Sequence, residues 1–222
     1  MQEILEILND TKWEILKEIS KRETSATELA EKLDTSISNI TQQLKILEAY
    51  EIIKRRKIKE KNIGKPRTVY SIKNEIIYAI ILKNNKAEKK IFKIDAVSGL
   101  IFNTLFITGT EDAFFILKFM LKHEEILKRC KAIGFIKSTK ENVELFILTD
   151  YIDEIRAKFS NLFIEDNIGK TKKIINWTHN EWEINDGLNR KDKYFLDITN
   201  NVQTIYDPDK ILENILMRRR KI

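Results

Sequence analysis

The residues between Ser25 and Ile72 restrict this chain more than any other stretch. Ile37, Ile40, Leu44 and Leu47 are spaced three, four and three apart, which predicts one buried stripe on a helix over residues 36–49. Directly after Tyr50 the period drops to two. Ile52, Lys54, Arg56 and Ile58 alternate with Ile53, Arg55 and Lys57, and "RTVYSI" at 67–72 repeats the strand pattern. Between them stand the turn formers Asn62, Gly64 and Pro66. The expectation is a helix that feeds straight into an antiparallel hairpin with a basic tip.

Upstream, Ser25 followed by Glu28 is a capping-box signature, opening a helix whose Ala26, Leu29, Ala30 and Leu33 face inward. Asp34, Thr35 and Ser36 then break the pattern. Asp10 or Thr11 is expected to cap an earlier helix, with Glu14 completing a box after Thr11 and Trp13, Leu16 and Ile19 as its apolar stripe. Met1 to Leu8 reads as a short amphipathic helix through Ile4, Leu5, Ile7 and Leu8. Helix, helix, three-residue turn, helix and basic hairpin is the order of a winged helix-turn-helix.

Charge gives these elements a role. From Lys54 to Lys73 the chain carries Lys54, Arg55, Arg56, Lys57, Lys59, Lys61, Lys65, Arg67 and Lys73 against the single acid Glu60. The formal net charge of the whole protein is only +6, so the remainder is close to neutral and the basic footprint is local. Opposite the apolar stripe of the preceding helix lie Ser38, Asn39, Thr41, Gln42 and Lys45. Amides and hydroxyls exchange hydrogen bonds with base edges in a major groove, whereas cations neutralise phosphates without reading sequence. Ser38, Asn39, Thr41, Gln42 and Lys45 are therefore expected to meet bases or nearby phosphates, and Lys54, Arg55, Lys57, Lys59, Lys61, Lys65 and Arg67 to meet the backbone. The competing reading is a polar face that is merely solvated, or one that docks an acidic protein.

The stretches "ILKEI", "SATELAEKL" and "SISNITQQLKILE", with the Gly64-Lys65-Pro66-Arg67 wing ending in "VYSI", resemble the ArsR-like winged-helix regulators of archaea and bacteria. The resemblance covers about the first third of the chain. It implies transcription regulation through double-stranded DNA. Two copies related by a two-fold axis, a homodimer, would then read an inverted repeat. Metal sensors of that family use cysteine or histidine ligands, and residues 1–73 contain neither. No metal is expected there.

Past the hairpin, "NEIIYAIILKNNKAEKKIFKID" at 74–95 reads as two apolar strands around "KNNKA", with a helix over Glu75 to Leu82 as the alternative. So dense an apolar run invites pairing with a second copy. A long helix is expected from Thr110 or Glu111 through Ala113, Phe114, Leu117, Met120 and Leu121 to Ile126 and Leu127. Then come strands at 131–139 and 142–150, a helix at 152–163, a strand at 172–184, a helix at 189–200, and a short strand with a final helix in "VQTIYDPDKILENILMRR". The expected division is a DNA-binding domain at 1–73, a connecting, dimerising segment at 74–99 and an α/β domain at 100–222, together an α+β protein. In its element order the last domain is similar to minimal nucleotidyltransferases. That likeness implies a mixed sheet on which a Gly-Ser turn and paired carboxylates hold magnesium and a nucleoside triphosphate. Here three residues separate Gly134 from Ser138, and the carboxylate positions are Asn142 and Glu144. One neutral amide in place of a hard-oxygen ligand removes charge that magnesium needs, so a non-catalytic relative is expected.

Neither catalytic residues nor a cofactor is expected elsewhere. Cys130 is the sole cysteine and reads as a small buried hydrophobe. His123 and His179 fall in different elements, His123 on a helix surface. Trp177, His179, Trp182, Glu183 and Asp186 crowd together, with Trp177 and His179 on one face of a strand. Core packing is the default for them and a tryptophan-lined ligand pocket the sharper alternative. No run of about 18 uncharged apolar residues occurs, so no membrane span is expected and the location is cytoplasmic.

Overall fold

Helix α1 (Asp10–Lys21) is capped by Asn9, whose side chain accepts a hydrogen bond from the Lys12 amide at 3.1 Å. The expected caps, Asp10 and Thr11, lie inside the helix, and Glu14 meets Lys17 at 2.7 Å. The buried stripe is correspondingly rotated: Lys12, Ile15 and Ile19 are buried, whereas Trp13 is 52% exposed. Lys12 keeps its stem in the core and carries its ammonium back to the Asn9 side chain at 3.4 Å.

The computed structural model describes residues 8–58, 66–160 and 162–219. They form an α+β protein of two units, Met1–Lys93 and Ile94–Ile222. The helix expected over 1–8 lies, apart from Leu8, outside the described residues, as does the hairpin tip with Lys59, Lys61 and Lys65. The segment expected as a connector, 74–99, divides between the units.

In the first unit, Ser25 and Glu28 make the expected capping box at the start of α2 (Ala26–Lys32). Asp34 turns the chain with a positive φ of 47°, and Ser36 caps α3 (Ile37–Ala49), accepting from the Asn39 amide at 3.2 Å. Ile40, Leu44 and Leu47 are fully buried with Ile15, Ile19, Leu29 and Ile53. Ile37 departs from the expected stripe. At about 3.6 residues per turn it stays in phase with Leu44, but as the first residue of the helix it stands at the free end and is 52% exposed.

The helix ends by reversing onto itself: Ile52 N–H bonds Leu47 O at 3.0 Å and Glu51 N–H bonds Glu48 O at 2.9 Å, with Glu51 at φ 59°. This paired closure drives the chain directly into β1 (Ile53–Ile58). β1 runs antiparallel to β2 (Arg67–Ile72), Ile53 opposite Ile72. Thr24 exchanges two backbone hydrogen bonds with Tyr70, at 3.1 and 2.9 Å, so β2 is held on both sides. β3 (Ile76–Lys83) and β4 (Lys86–Lys93) form a second hairpin with Ile76 opposite Lys93, which settles the helix-or-strand alternative at Glu75–Leu82. Asn85 closes its turn at φ 63°, a conformation Asn tolerates.

The second unit is built on a mixed five-stranded sheet in the order β7-β8-β6-β5-β9. Its strands are β5 (Cys130–Ser138), β6 (Asn142–Thr149), β7 (Leu162–Glu165), β8 (Thr171–His179) and β9 (Gln203–Tyr206). Among the described strands only β6 and β8 pair in parallel. Alternation along β5 and β6 sends residues to two cores. Ile133, Phe135, Val143, Leu145 and Ile147 meet Phe115, Ile116 and Phe119 of α4 (Ala96–Lys122), Ile126 of α5 (Glu125–Arg129) and Ile155 and Phe159 of α6 (Ile152–Phe159). Ala132, Phe146 and Leu148 meet α7 (Glu181–Asn189), α8 (Lys193–Asn201) and α9 (Ile211–Arg219).

Several elements differ from expectation: the helix expected to reach Ile126 and Leu127 stops at Lys122 with α5 separate, and the helix expected from Asn189 starts at Lys193. α4 begins at Ala96, where Asp95 and Ser98 form a capping box, and breaks at Gly109, where φ is 76°. Its length and composition suffice to cross a membrane, with 28% of its most apolar window buried. Yet the stretch before Gly109 spans only about 20 Å at about 1.5 Å per residue, short of a hydrocarbon core of about 30 Å, and the second half packs into the core just described. Strand β7 occupies ground expected as the end of a helix, and α7 begins where a strand was expected to continue to Ile184.

Candidate nucleic-acid interface

Because α3 buries Ile40, Leu44 and Leu47, its opposite side is fixed as a surface. Ser38, Gln42 and Lys45 are exposed there and, among the described residues, make no side-chain hydrogen bond or ion pair. The other two expected readers are engaged. Asn39 donates from its amide to Thr35 Oγ1 at 3.1 Å and accepts from Gln43 Nε2 at 3.2 Å, and Thr41 Oγ1 donates to Ile37 O at 2.7 Å. Ile37, expected in the core, is instead exposed at the start of α3 and offers an apolar surface suited to a thymine methyl. The signal available was its position as the first helical residue, where a stripe has little to pack against.

Within β1 and β2 the described hairpin cations divide by residue type, although Lys73, directly after β2, pairs with Glu51 at 2.8 Å. Arg55 pairs with Glu48 of α3 at 3.0 Å. Arg56 makes a forked contact with Glu23, its Nε 3.0 Å from both carboxylate oxygens. Arg67 bonds Ser25 Oγ at 3.1 Å and forms an ion pair with Glu28. Lys54 and Lys57 are exposed and have no ion pair among the described residues. Planar guanidinium groups match carboxylates in two-pronged geometry, so the arginines fasten the hairpin to the helices. Lys54 and Lys57 extend into solvent, Lys54 near enough to Glu23 to help lower its carboxyl after Arg56.

Titration follows the same division. The Arg67 guanidinium, with the Ser25 amide second, holds the Glu28 carboxyl down to about 2. Arg56 lowers Glu23 and is itself raised by that carboxylate. Lys21, then Lys32, brings Glu18 down to about 2 and ties α1 to α2. Burial first, with Glu48 next, raises the Tyr70 phenol behind the hairpin.

Several polar groups of the second unit satisfy one another, while the buried Asn176 Oδ1 and Thr178 Oγ1 find no hydrogen-bond partner among the described residues. Buried Lys172 donates to Asp112 Oδ1 at 2.6 Å, Thr139 O at 2.7 Å and Ser138 Oγ at 3.1 Å. Glu144 accepts from Trp177 Nε1 at 2.9 Å and pairs with Lys137 at 3.2 Å. His179 lies between Glu183 at 2.9 Å and Tyr194 at 2.7 Å, and burial lowers its pKa. Trp177 and His179 share a strand face, as expected, and both rings meet Tyr194. Trp182, by contrast, is 70% exposed on α7. Gly134 has a packing explanation: a Cβ there would stand 2.2 Å from Val202 Cγ2. His123 is half-buried, its ring against Phe119 and Phe159. Cys130 packs at the core edge and burial pushes its thiol up to about 12.

A protein family described as HVO_A0114 matches residues 7–72, the span holding α1 to α3 and both strands of the first hairpin. No curated protein matches the chain.

Proposed function

We propose that this chain is a cytoplasmic, dimeric transcriptional regulator that binds double-stranded DNA sequence-specifically through a winged helix-turn-helix of the ArsR-like kind. In this reading α3 enters the major groove and the β1–β2 hairpin is the wing. One observation carries it: Ser38, Gln42 and Lys45 stand without internal partners on α3, while the adjoining strand presents Lys54 and Lys57. Ser38, Gln42 and Ile37 read base edges. Lys45, Lys54, Lys57 and the tip lysines Lys59, Lys61 and Lys65 hold phosphates. Asn39, Thr41, Arg55 and Arg67 act through position, since each is bonded within the unit. Two copies would present α3 to successive major grooves, so the operator is an inverted repeat with half-sites roughly 34 Å apart.

The second unit acts without catalysis. Glu144 is the one acidic side chain at the carboxylate positions of a nucleotidyltransferase, and Trp177 and Lys137 already occupy it. Selection of bound sequences from a random duplex pool at about 50 mM salt tests the regulator, followed by titration at rising salt. Enrichment of an inverted repeat with steep salt dependence is the expected result. No retention of any duplex at that salt identifies a protein-docking module instead. Transfer from labelled triphosphates in magnesium, lost on Glu144→Gln, would overturn the non-catalytic reading.

A further inference from the structure

The β3–β4 hairpin is unequal in a way that identifies its partner. β4 carries Lys86, Glu88, Lys89, Lys90 and Lys93, the charged side chains that guard an outer strand against pairing. β3 reads Ile-Ile-Tyr-Ala-Ile-Ile-Leu from Ile76 to Leu82 with no charge, yet its only described strand neighbour is β4. Ile77 and Ile91 at the base reach the core, while Ile80, Ile81 and Leu82 are 48%, 48% and 77% exposed. A two-stranded ribbon is marginal in water without further cover. β3 therefore has the composition of an inner strand and the position of an outer one.

We propose that β3 pairs antiparallel with β3 of a second copy, giving a four-stranded sheet in which the lysine-rich β4 strands lie outermost. A two-fold axis normal to the sheet keeps every side chain on its own face, so only registers joining residues of like parity are allowed. Among these, charge selects one. Centring the axis on Ala79 sets Glu75 opposite Lys83 of the second copy, twice by symmetry, with Ile77 opposite Ile81 and Tyr78 opposite Ile80. A shift toward the amino end by one residue puts Glu75 against Ile81 and leaves Lys83 without a carboxylate opposite, and the opposite shift puts Glu75 against Asn85. The strand is self-complementary in that register, which makes a second copy of this chain the occupant.

This deepens the dimer named above and rests on it for the two-fold symmetry, not for DNA. In the full chain, Ala79→Cys under mild oxidation is expected to form a disulfide-linked dimer as the main species on a non-reducing gel. Cys130, whose thiol is raised to about 12, stays silent. Glu88→Cys on the outer strand is expected to remain single, because its symmetry mate lies two strands further away. Ile80→Lys, at an exposed position that the monomer tolerates, is expected to convert the wild-type dimer to monomer in light scattering with an unchanged circular dichroism spectrum. A monomeric wild type overturns the proposal. So does an Ala79→Cys protein that stays reduced, or an Ile80→Lys protein that stays dimeric, which would place the seam on another apolar surface such as Val97, Ile101 and Phe106 of α4. DNA is absent throughout, so a dimer that ignores every duplex removes the regulator and leaves this pairing standing.

Discussion

In the second unit three polar clusters close on themselves, whereas in the first an exposed group on α3 and β1 is left open. Lys172, Ser138 and Asp112 complete one network, Glu144, Lys137 and Trp177 another, and His179, Glu183 and Tyr194 a third. Ser38, Gln42, Lys45, Lys54 and Lys57 complete none among the described residues. Satisfied polar groups in a low-dielectric interior hold a fold together, while satisfiable groups left in water are available to a partner. The same contrast recurs within the strands of the first hairpin, where, among the described residues, Arg55, Arg56 and Arg67 are paired and Lys54 and Lys57 are not.

The largest effect expected from breaking this contrast lies in the second unit. Asp112→Ala strands the Lys172 ammonium, which is 4% exposed, and the melting transition should lose about 3 to 5 kcal/mol. A loss below about 1 kcal/mol would mean that Ser138 and Thr139 satisfy the charge alone. Gln42→Ala should leave stability within about 0.5 kcal/mol while reducing discrimination at particular base pairs by about 1 to 3 kcal/mol, measured by competition between the selected operator and single-site variants. Equal weakening on every sequence would move base reading elsewhere.

Two smaller measurements sharpen the arginine–lysine division. Lys57→Ala should flatten the slope of log affinity against log salt by about one unit. Arg56→Ala should change it by less, because Glu23 already compensates the guanidinium. Equal slopes for the two variants would erase the distinction. The smallest effect is in acid. Glu28 titrates near 2 when folded, against an ordinary value of 4.5. Its stabilisation is therefore fully present above pH about 4.5 and is lost as pH falls toward about 2. Melting curves of wild type and Glu28→Gln should be furthest apart near neutrality and converge at the acid end.

The stripe of Ile40, Leu44 and Leu47, the Ser25–Glu28 box and the switch to period two at β1 were legible because each depends on neighbours within a few residues. The α7 start was equally local, since Asn180 and Glu183 form a capping box, but the strand pattern of "KKIINWTH" was carried through it. β7 was hidden for a different reason: four residues after a helix have no periodicity of their own, and pairing with β8 defines them. For the interface, exposure of the α3 face followed from the stripe, while the loss of Asn39, Thr41, Arg55 and Arg67 to internal bonds did not.

By itself the sequence determined where α2, α3 and β1 start, which face of α3 is apolar, and that positive charge concentrates around one hairpin. Those properties follow from periodicity and caps, which act over one or two turns of chain. The tertiary structure decided which cations remain uncompensated, because Glu23, Glu28 and Glu48 reach Arg56, Arg67 and Arg55 only once the helices and the hairpin have packed. An ion pair acts over a few ångströms in space, whatever the distance along the chain.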